Sequence, residues 1–241
     1  IMSLKDKELK KIAEPLRQQT LDINNRIIIV GDIHGCYDEL LELMEKVDYN
    51  ETDVLISVGD IVAKGPKTSE VIDYFMHENR YCVMGNHEWT VLRFINNQNS
   101  YKLKKHSEHK KLSTNLRDDQ LAYLQNLPHT LHIPTYNLVI VHAGVDPNKN
   151  IHDNNSYDVM HIRNIFDGVT TELTDKGVQW TTEWNGPEFI VFGHDAKKRI
   201  QDTEHALGLD TACVYGERLS CVIYPDKQIV SVEAKKRYSY I

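Results

Sequence analysis

The feature that most limits what this chain can become is an apolar run, Ile27 to Val30, that stops at Gly31-Asp32-Ile33-His34-Gly35. Four consecutive β-branched residues need cover on both faces, which a strand inside a layered sheet obtains. Beyond Gly35 the apolar positions change to helical spacing, at Leu40, Leu41, Met44 and Val47. A strand ending in an acid and then a histidine delivers two metal-ligand side chains to its carboxyl edge. Open α/β sheets bind their ligands at that edge.

The arrangement recurs. Val54 to Val58 ends in Gly59-Asp60-Ile61-Val62-Ala63-Lys64-Gly65-Pro66, and Tyr81 to Met84 ends in Gly85-Asn86-His87-Glu88. Helices are expected after each, over Thr68–His77 and onward to about Ile95. Three strand–turn–helix units in succession imply crossovers and parallel pairing. Farther on, Leu138 to Val141 ends in His142-Ala143-Gly144, and Phe189 to Phe192 in Gly193-His194-Asp195. Singly, each ending reads as a turn or a hydrogen-bonded histidine. Five in order, each after a strand, argue for one site.

The remaining segments predict a charged helix over Ser3–Leu16, a helix over Asp118–Asn126 stopped by Pro128, and a short one around Val159–Ile165. From Ala206 onward the pattern changes to short strands, at Ala206–Leu209, Cys213–Tyr215, Leu219–Tyr224 and Ile229–Val232. These read as an antiparallel meander finishing a second sheet. The organisation expected is α/β, with a helical extension over residues 1–25 and one domain over 26–241.

Composition excludes some classes. No stretch approaches the roughly 20 apolar residues of a membrane span, and the first residues lack the apolar core of a signal peptide. The four cysteines show no metal-type spacing, and Cys82 and Cys221 in apolar runs read as buried thiols. Net charge is −7, yet a basic insert at about 96–117 carries five lysines, one arginine and two histidines against one acid. Such a stretch is a solvated polar face or a local attractor of anions.

Collected at strand ends are Asp32, His34, Asp60, Asn86, His142 and His194, with His87 beside them. Carboxylates and imidazoles without thiolates suit Zn, Mn or Fe. Six ligands exceed what one catalytic metal takes from protein. They suffice for two metals sharing a carboxylate, about 3.5–4 Å apart, which clamp the attacking and leaving oxygens of an in-line displacement.

These blocks together resemble the calcineurin-like metallophosphoesterases, and within them the phosphoprotein-phosphatase branch. The resemblance implies an αββα two-sheet sandwich. It also implies a first metal held by Asp32, His34 and Asp60, and a second by Asp60, Asn86, His142 and His194. His87 would then be the general acid, and a hydroxide bridging the metals at Asp60 would attack phosphorus directly. Protein phosphatases of that branch carry Asp-Arg where this chain has Ala63-Lys64, so a carboxylate that would support His87 is missing. Alanine followed by a basic residue, glycine and proline is similar to ApaH-type hydrolases and their relatives, as are Gly193-His194-Asp195-Ala196-Lys197 and Ile162-Arg163-Asn164.

Lys64, Arg163 and Asn86 are the candidate contacts to substrate phosphate. Lys197 and Lys198 follow His194 closely but read as solvated. Within the ApaH-like group the resemblance is greatest to a fungal zinc-dependent endopolyphosphatase, which would put the chain in a vacuole lumen, with the cytoplasm as the alternative. Inorganic polyphosphate, guided by Lys102–Lys111, is therefore the first substrate expected. Diadenosine tetraphosphate, a phosphoprotein, or a non-catalytic metal-binding role are alternatives, and a capped RNA would call for more aromatic platforms than Tyr101. The expected partner is a polyanionic phosphate, not DNA, and the expected state is a monomer.

Overall fold

Neighbouring residues of the innermost strands belong to different cores. Ile27 and Ile29 pack with Val54, Ile56, Leu138, Ile140 and Val191, whereas Ile28, Val30 and Leu55 pack with helical residues such as Leu40, Leu43 and Phe75. Val139, Val141, Ile190 and Phe192 form a third cluster with Trp180 and Trp184. An apolar run with no polar alternation is explained by this layering: two sheets lie face to face, and each outer face is covered as well.

The computed structural model describes residues 14–95 and 108–240. Its strands are β1 (Gln18–Thr20), β2 (Ile27–Val30), β3 (Val54–Ser57), β4 (Arg80–Cys82), β5 (Thr130–Ile133), β6 (Leu138–Val141), β7 (Asn164–Phe166), β8 (Val169–Thr171), β9 (Val178–Gln179), β10 (Phe189–Phe192), β11 (Gln201–Asp202), β12 (Ala206–Gly208), β13 (Arg218–Tyr224) and β14 (Gln228–Glu233). The helices are α1 (Tyr37–Lys46), α2 (Thr68–Phe75), α3 (Asn86–Ile95), α4 (Glu108–Asn115), α5 (Asp118–Gln125), α6 (Ser156–His161) and α7 (Trp180–Glu183). One main sheet has the order β14-β13-β2-β3-β4 and the other β1-β5-β6-β10-β12-β11, with a small sheet β8-β7-β9 beside them. Strands β2, β3 and β4 run parallel, as do β6, β10 and β12. Their carboxyl ends carry the candidate site.

Several expectations are corrected. None of residues 14–25 is helical, and β1 pairs with β5. Residues 1–13 and 96–107, with most of the expected N-terminal helix and much of the basic insert, lie outside the described residues. The expected meander is divided between sheets: β12 lies parallel beside β10, and β13–β14 are an antiparallel pair on β2. Cys213–Tyr215 is a single 3-10 turn between Ala212 at φ 61° and Gly216 at φ 90°, left-handed positions that end any extended run. The short helix starts earlier than expected, because the Asn155 side chain accepts the Asp158 N–H and caps it at Ser156. Ile165, expected at its end, lies in β7 instead.

Candidate active site

Asp32 and His34 follow β2, Asp60 follows β3, Asn86 opens α3 after β4, His142 follows β6 directly and His194 follows β10. The loops are tied to one another by backbone bonds. His34 N–H donates to the Asp60 carbonyl at 2.8 Å, Gly35 N–H to Ile61 at 3.0 Å, and Gly193 N–H to the His142 carbonyl at 2.7 Å. The Asp32 carboxylate then crosses between sheets and accepts the His194 N–H at 3.0 Å. A Cβ at Gly193 would lie 2.0 Å from Asp32 Oδ1, so this approach requires glycine. His34, Asp60, Ala63, Lys64 and His194 all have left-handed backbone, at φ 47°, 52°, 66°, 66° and 70°. Such conformations persist only where the surroundings enforce them.

The histidine tautomers follow from backbone contacts. His34 Nδ1 lies 2.9 Å from the Val62 carbonyl, and His142 Nδ1 lies 2.9 Å from the Val58 carbonyl. Each Nδ1 therefore carries the proton, and each Nε2 presents a lone pair inward. Both of these Nε2 atoms lie 3.5 Å from the same oxygen, Asp60 Oδ2. Asn86 Oδ1 lies 2.9 Å from His142 Nε2 and 3.1 Å from His194 Nδ1. The buried lone pairs of His34 and His142 facing the Asp60 carboxylate are what a cation would reconcile. His194 Nε2 is itself buried with no hydrogen-bond partner among the described residues. The donor atoms of Asp60, His142 and His194 lie within 4.8 Å of one another, as do those of His34, Asp60 and His87. The residues present thus fit divalent metal.

Burial sets the charge states. It drives His34, His142 and His194 below the usual imidazole range, aided by the charge of Lys64 at His34 and of Arg163 at His194 and opposed by Asp60 at His142. Burial also lowers His87, against an opposing pull from Asp60. It raises Asp32, assisted by the charges of Asp210 and Asp60. Burial alone would raise Asp60 too, but His142, His87 and Lys64 more than offset it and hold the carboxyl low.

Asp32, His34, Asp60, Asn86, His87 and His194 line a cleft of about 270 Å³ with Lys64, Arg163, Asp195, Lys197 and Tyr215 at its sides, and His142 lies buried behind it. Lys64 Nζ lies 3.0 Å from His34 Nε2 and 5.2 Å from the Tyr215 ring centre. Arg163 is held by the Glu172 carbonyl at 3.3 Å and the His194 carbonyl at 3.5 Å. Lys197 is exposed on the cleft wall, while Lys198 turns to Asp195 at 3.3 Å and Asn164 at 3.3 Å. All six candidate ligands, His87, Lys64 and Arg163 therefore converge on one region.

Three participants carried no assigned role in the sequence. Glu88 is buried and accepts the N–H groups of Asp60, Gly85 and Val62. Asp210, at the end of β12, lines the cleft, and its carboxyl is pushed up to about 6, first by burial. His109, on α4, places Nε2 2.8 Å from His87 Nδ1. The signal for Glu88 was its place beside Asn86 and His87; nothing in the spacing of the basic insert singled out His109.

Comparison with known proteins agrees with this geometry. The asymmetrical bis(5′-nucleosyl)-tetraphosphatase of Oceanobacillus iheyensis is 28% identical over 240 residues, covering 88% of this chain and 94% of the relative. A symmetrical bis(5′-nucleosyl)-tetraphosphatase from Actinobacillus pleuropneumoniae is 25% identical, covering 86% and 98%. A crystal structure described as a candidate diadenosine tetraphosphatase is 36% identical with a TM-score of 0.84, covering 91% of this chain and 98% of that one. A serine/threonine phosphatase from Saccharomyces cerevisiae shares the fold at 13% identity and a TM-score of 0.62, covering 98% of this chain and 90% of that one. Residues 25–198 match the profile of the calcineurin-like phosphoesterases, and the chain belongs to that family.

Proposed function

We propose that this metallophosphoesterase cleaves a phosphoanhydride bond in a dinucleoside tetraphosphate. The observation that carries hydrolysis is the inward convergence of His34 and His142 on one oxygen of Asp60. The substrate is supported by relatives named bis(5′-nucleosyl)-tetraphosphatases that align over nearly their whole length. Inorganic polyphosphate, expected first from the sequence, is the weaker reading, because the relatives that align over nearly their whole length are named for dinucleoside tetraphosphates.

In this reading Asp32, His34 and Asp60 would hold one divalent cation, and Asp60, Asn86, His142 and His194 the second. Bound there, such cations would lower the pKa of a water and offset charge on the phosphoryl oxygens. His87, whose Nε2 lies 3.9 Å from Asp60 Oδ2, stands at the edge of this centre and protonates the leaving phosphate oxygen. Lys64 and Arg163 face the cleft as cations for the phosphate chain. Lys64 offers a point charge, and Arg163 a planar fork whose Nη atoms are steadied by two carbonyls.

The deciding experiment loads the protein separately with Zn, Mn and Fe and assays diadenosine tetraphosphate, long-chain polyphosphate, capped RNA and a phosphopeptide. Diadenosine tetraphosphate should be consumed fastest, its products distinguishing asymmetrical from symmetrical cleavage. Shortening of polyphosphate with the dinucleotide untouched would overturn the reading.

A further inference from the structure

We propose that His109 is the positioning residue that holds His87 for proton transfer, in place of a carboxylate. The proposal rests on the reading of His87 as the acid. Ala63, one of the two residues by which this chain departs from the protein phosphatases, is buried and offers only a methyl group. The Nδ1 edge of His87 is met instead by His109 Nε2 at 2.8 Å, with ring centres 4.9 Å apart and planes inclined at 35°. The opposite edge of His87 faces the centre, with Nε2 3.9 Å from Asp60 Oδ2 and the ring set edge-on to His34 at 79°. One ring edge is thus presented to the cleft and the other is held from behind.

The same turn of helix makes a second contact. Glu108 Oε1 accepts the Lys64 N–H at 2.6 Å, so adjacent residues of α4 fasten both the candidate acid and a candidate phosphate contact. No residue of α4 is fully buried, and the helix is polar. His109 is half-buried because it turns toward His87.

The proton arrangement follows. A cationic His87 carries hydrogens on both nitrogens; its Nδ1–H donates to His109 Nε2, and its Nε2–H faces the leaving oxygen. As the P–O bond to the leaving group breaks, that oxygen keeps the bonding electron pair and takes the Nε2 proton. His87 becomes neutral, with its Nδ1–H still shared with His109. The His109 ring thus orients His87 through one hydrogen bond at 2.8 Å, the part a carboxylate would otherwise play.

The test uses the metal-loaded full chain and a series of aryl phosphates from 4-nitrophenyl to phenyl phosphate, alongside diadenosine tetraphosphate. His109→Ala should lower kcat about 10-fold or more with KM within about twofold. The loss should grow as the leaving group becomes more basic, because protonation matters most there. His109→Gln, whose carbonyl is again a neutral acceptor, should recover much of kcat. A uniform loss across leaving groups, or wild-type kinetics in His109→Ala, would overturn the proposal. His87→Ala separates the two levels: if it shows the leaving-group dependence and His109→Ala does not, only the role of His109 falls. If His87→Ala behaves as wild type, the assignment of the acid falls with it.

Discussion

Glu88 Oε2 accepts the backbone N–H of Asp60 at 2.9 Å from a position closed to solvent. The same oxygen takes the Gly85 N–H at 2.9 Å, and Oε1 takes the Val62 N–H at 3.1 Å. One side chain therefore fixes the loop of Asp60 against the loop that leads into Asn86 and His87. Burial and then the charge of Asp60 push its carboxyl up to about 8, while the three N–H groups pull the other way. A cation at Asp60 would relieve that repulsion, which links Glu88 to metal occupancy without direct contact.

Glu88→Gln tests this link. The amide must turn an NH2 toward a backbone N–H on one side, leaving buried donors unpaired at a cost of about 1–3 kcal/mol. A lower Tm and weaker metal retention are expected, measured by thermal unfolding and metal analysis after dialysis. Wild-type values for both would refute the link.

Gly193→Ala probes Asp32. Its new Cβ would start 2.0 Å from Asp32 Oδ1, so the carboxylate must move. Metal content after dialysis should fall from two equivalents towards one, with the far-ultraviolet circular dichroism unchanged. Retention of both metals would show that the loop absorbs the change.

Much of this centre was legible because parallel strands must end somewhere, and a side chain placed just past a strand end cannot wander far. The runs at Ile27, Val54, Leu138 and Phe189 were read to within a residue or so, since burial on both faces leaves no polar break. Strand β1, Gln18-Gln19-Thr20, was illegible for the opposite reason. All three residues are exposed, and the segment is a strand only through backbone pairing with β5. The Cys213–Tyr215 turn was misread because its apolar residues are buried as a strand's would be, while the curl depends on Ala212, a residue with no turn signature. His109 was illegible because its partner lies 22 residues away and its own helix has no apolar face to announce it.

Arg163→Ala should act on substrate. A charge-assisted hydrogen bond is worth about 1.5–3 kcal/mol, so kcat/KM for diadenosine tetraphosphate should fall roughly 10- to 100-fold. The Tm should change little. A selective effect on the nucleotide over 4-nitrophenyl phosphate would place Arg163 along the phosphate chain, and no effect on either would remove it from the site.

His129 predicts how the apoprotein responds to acid. It is buried, and its Nδ1 accepts the Arg17 N–H at 2.9 Å. Burial, then the Arg17 charge, pushes its pKa from 6.5 to about 3. Between those values the unfolded chain binds a proton that the folded chain refuses. Its contribution is therefore complete above about pH 6.5 and is lost as pH falls towards 3, at up to about 1.4 kcal/mol per pH unit. His129→Asn, which keeps an acceptor near Nδ1, should flatten this limb of the stability profile in urea titrations. An unchanged slope would assign acid sensitivity elsewhere.

The left-handed backbone at His34, Asp60, Ala63, Lys64 and His194 bears on how such a chain changes over generations. At each of these positions glycine would relax the main chain, by roughly 1 kcal/mol for a residue freed of its Cβ clash. Drift that rewards only a sturdier fold would therefore erode the centre residue by residue, with Lys64 among the first to go because it is only partly buried. At four of the five, His34, Asp60, Lys64 and His194, the side chain that strains the backbone is also a candidate ligand or phosphate contact, so stability gained from glycine there would cost the site.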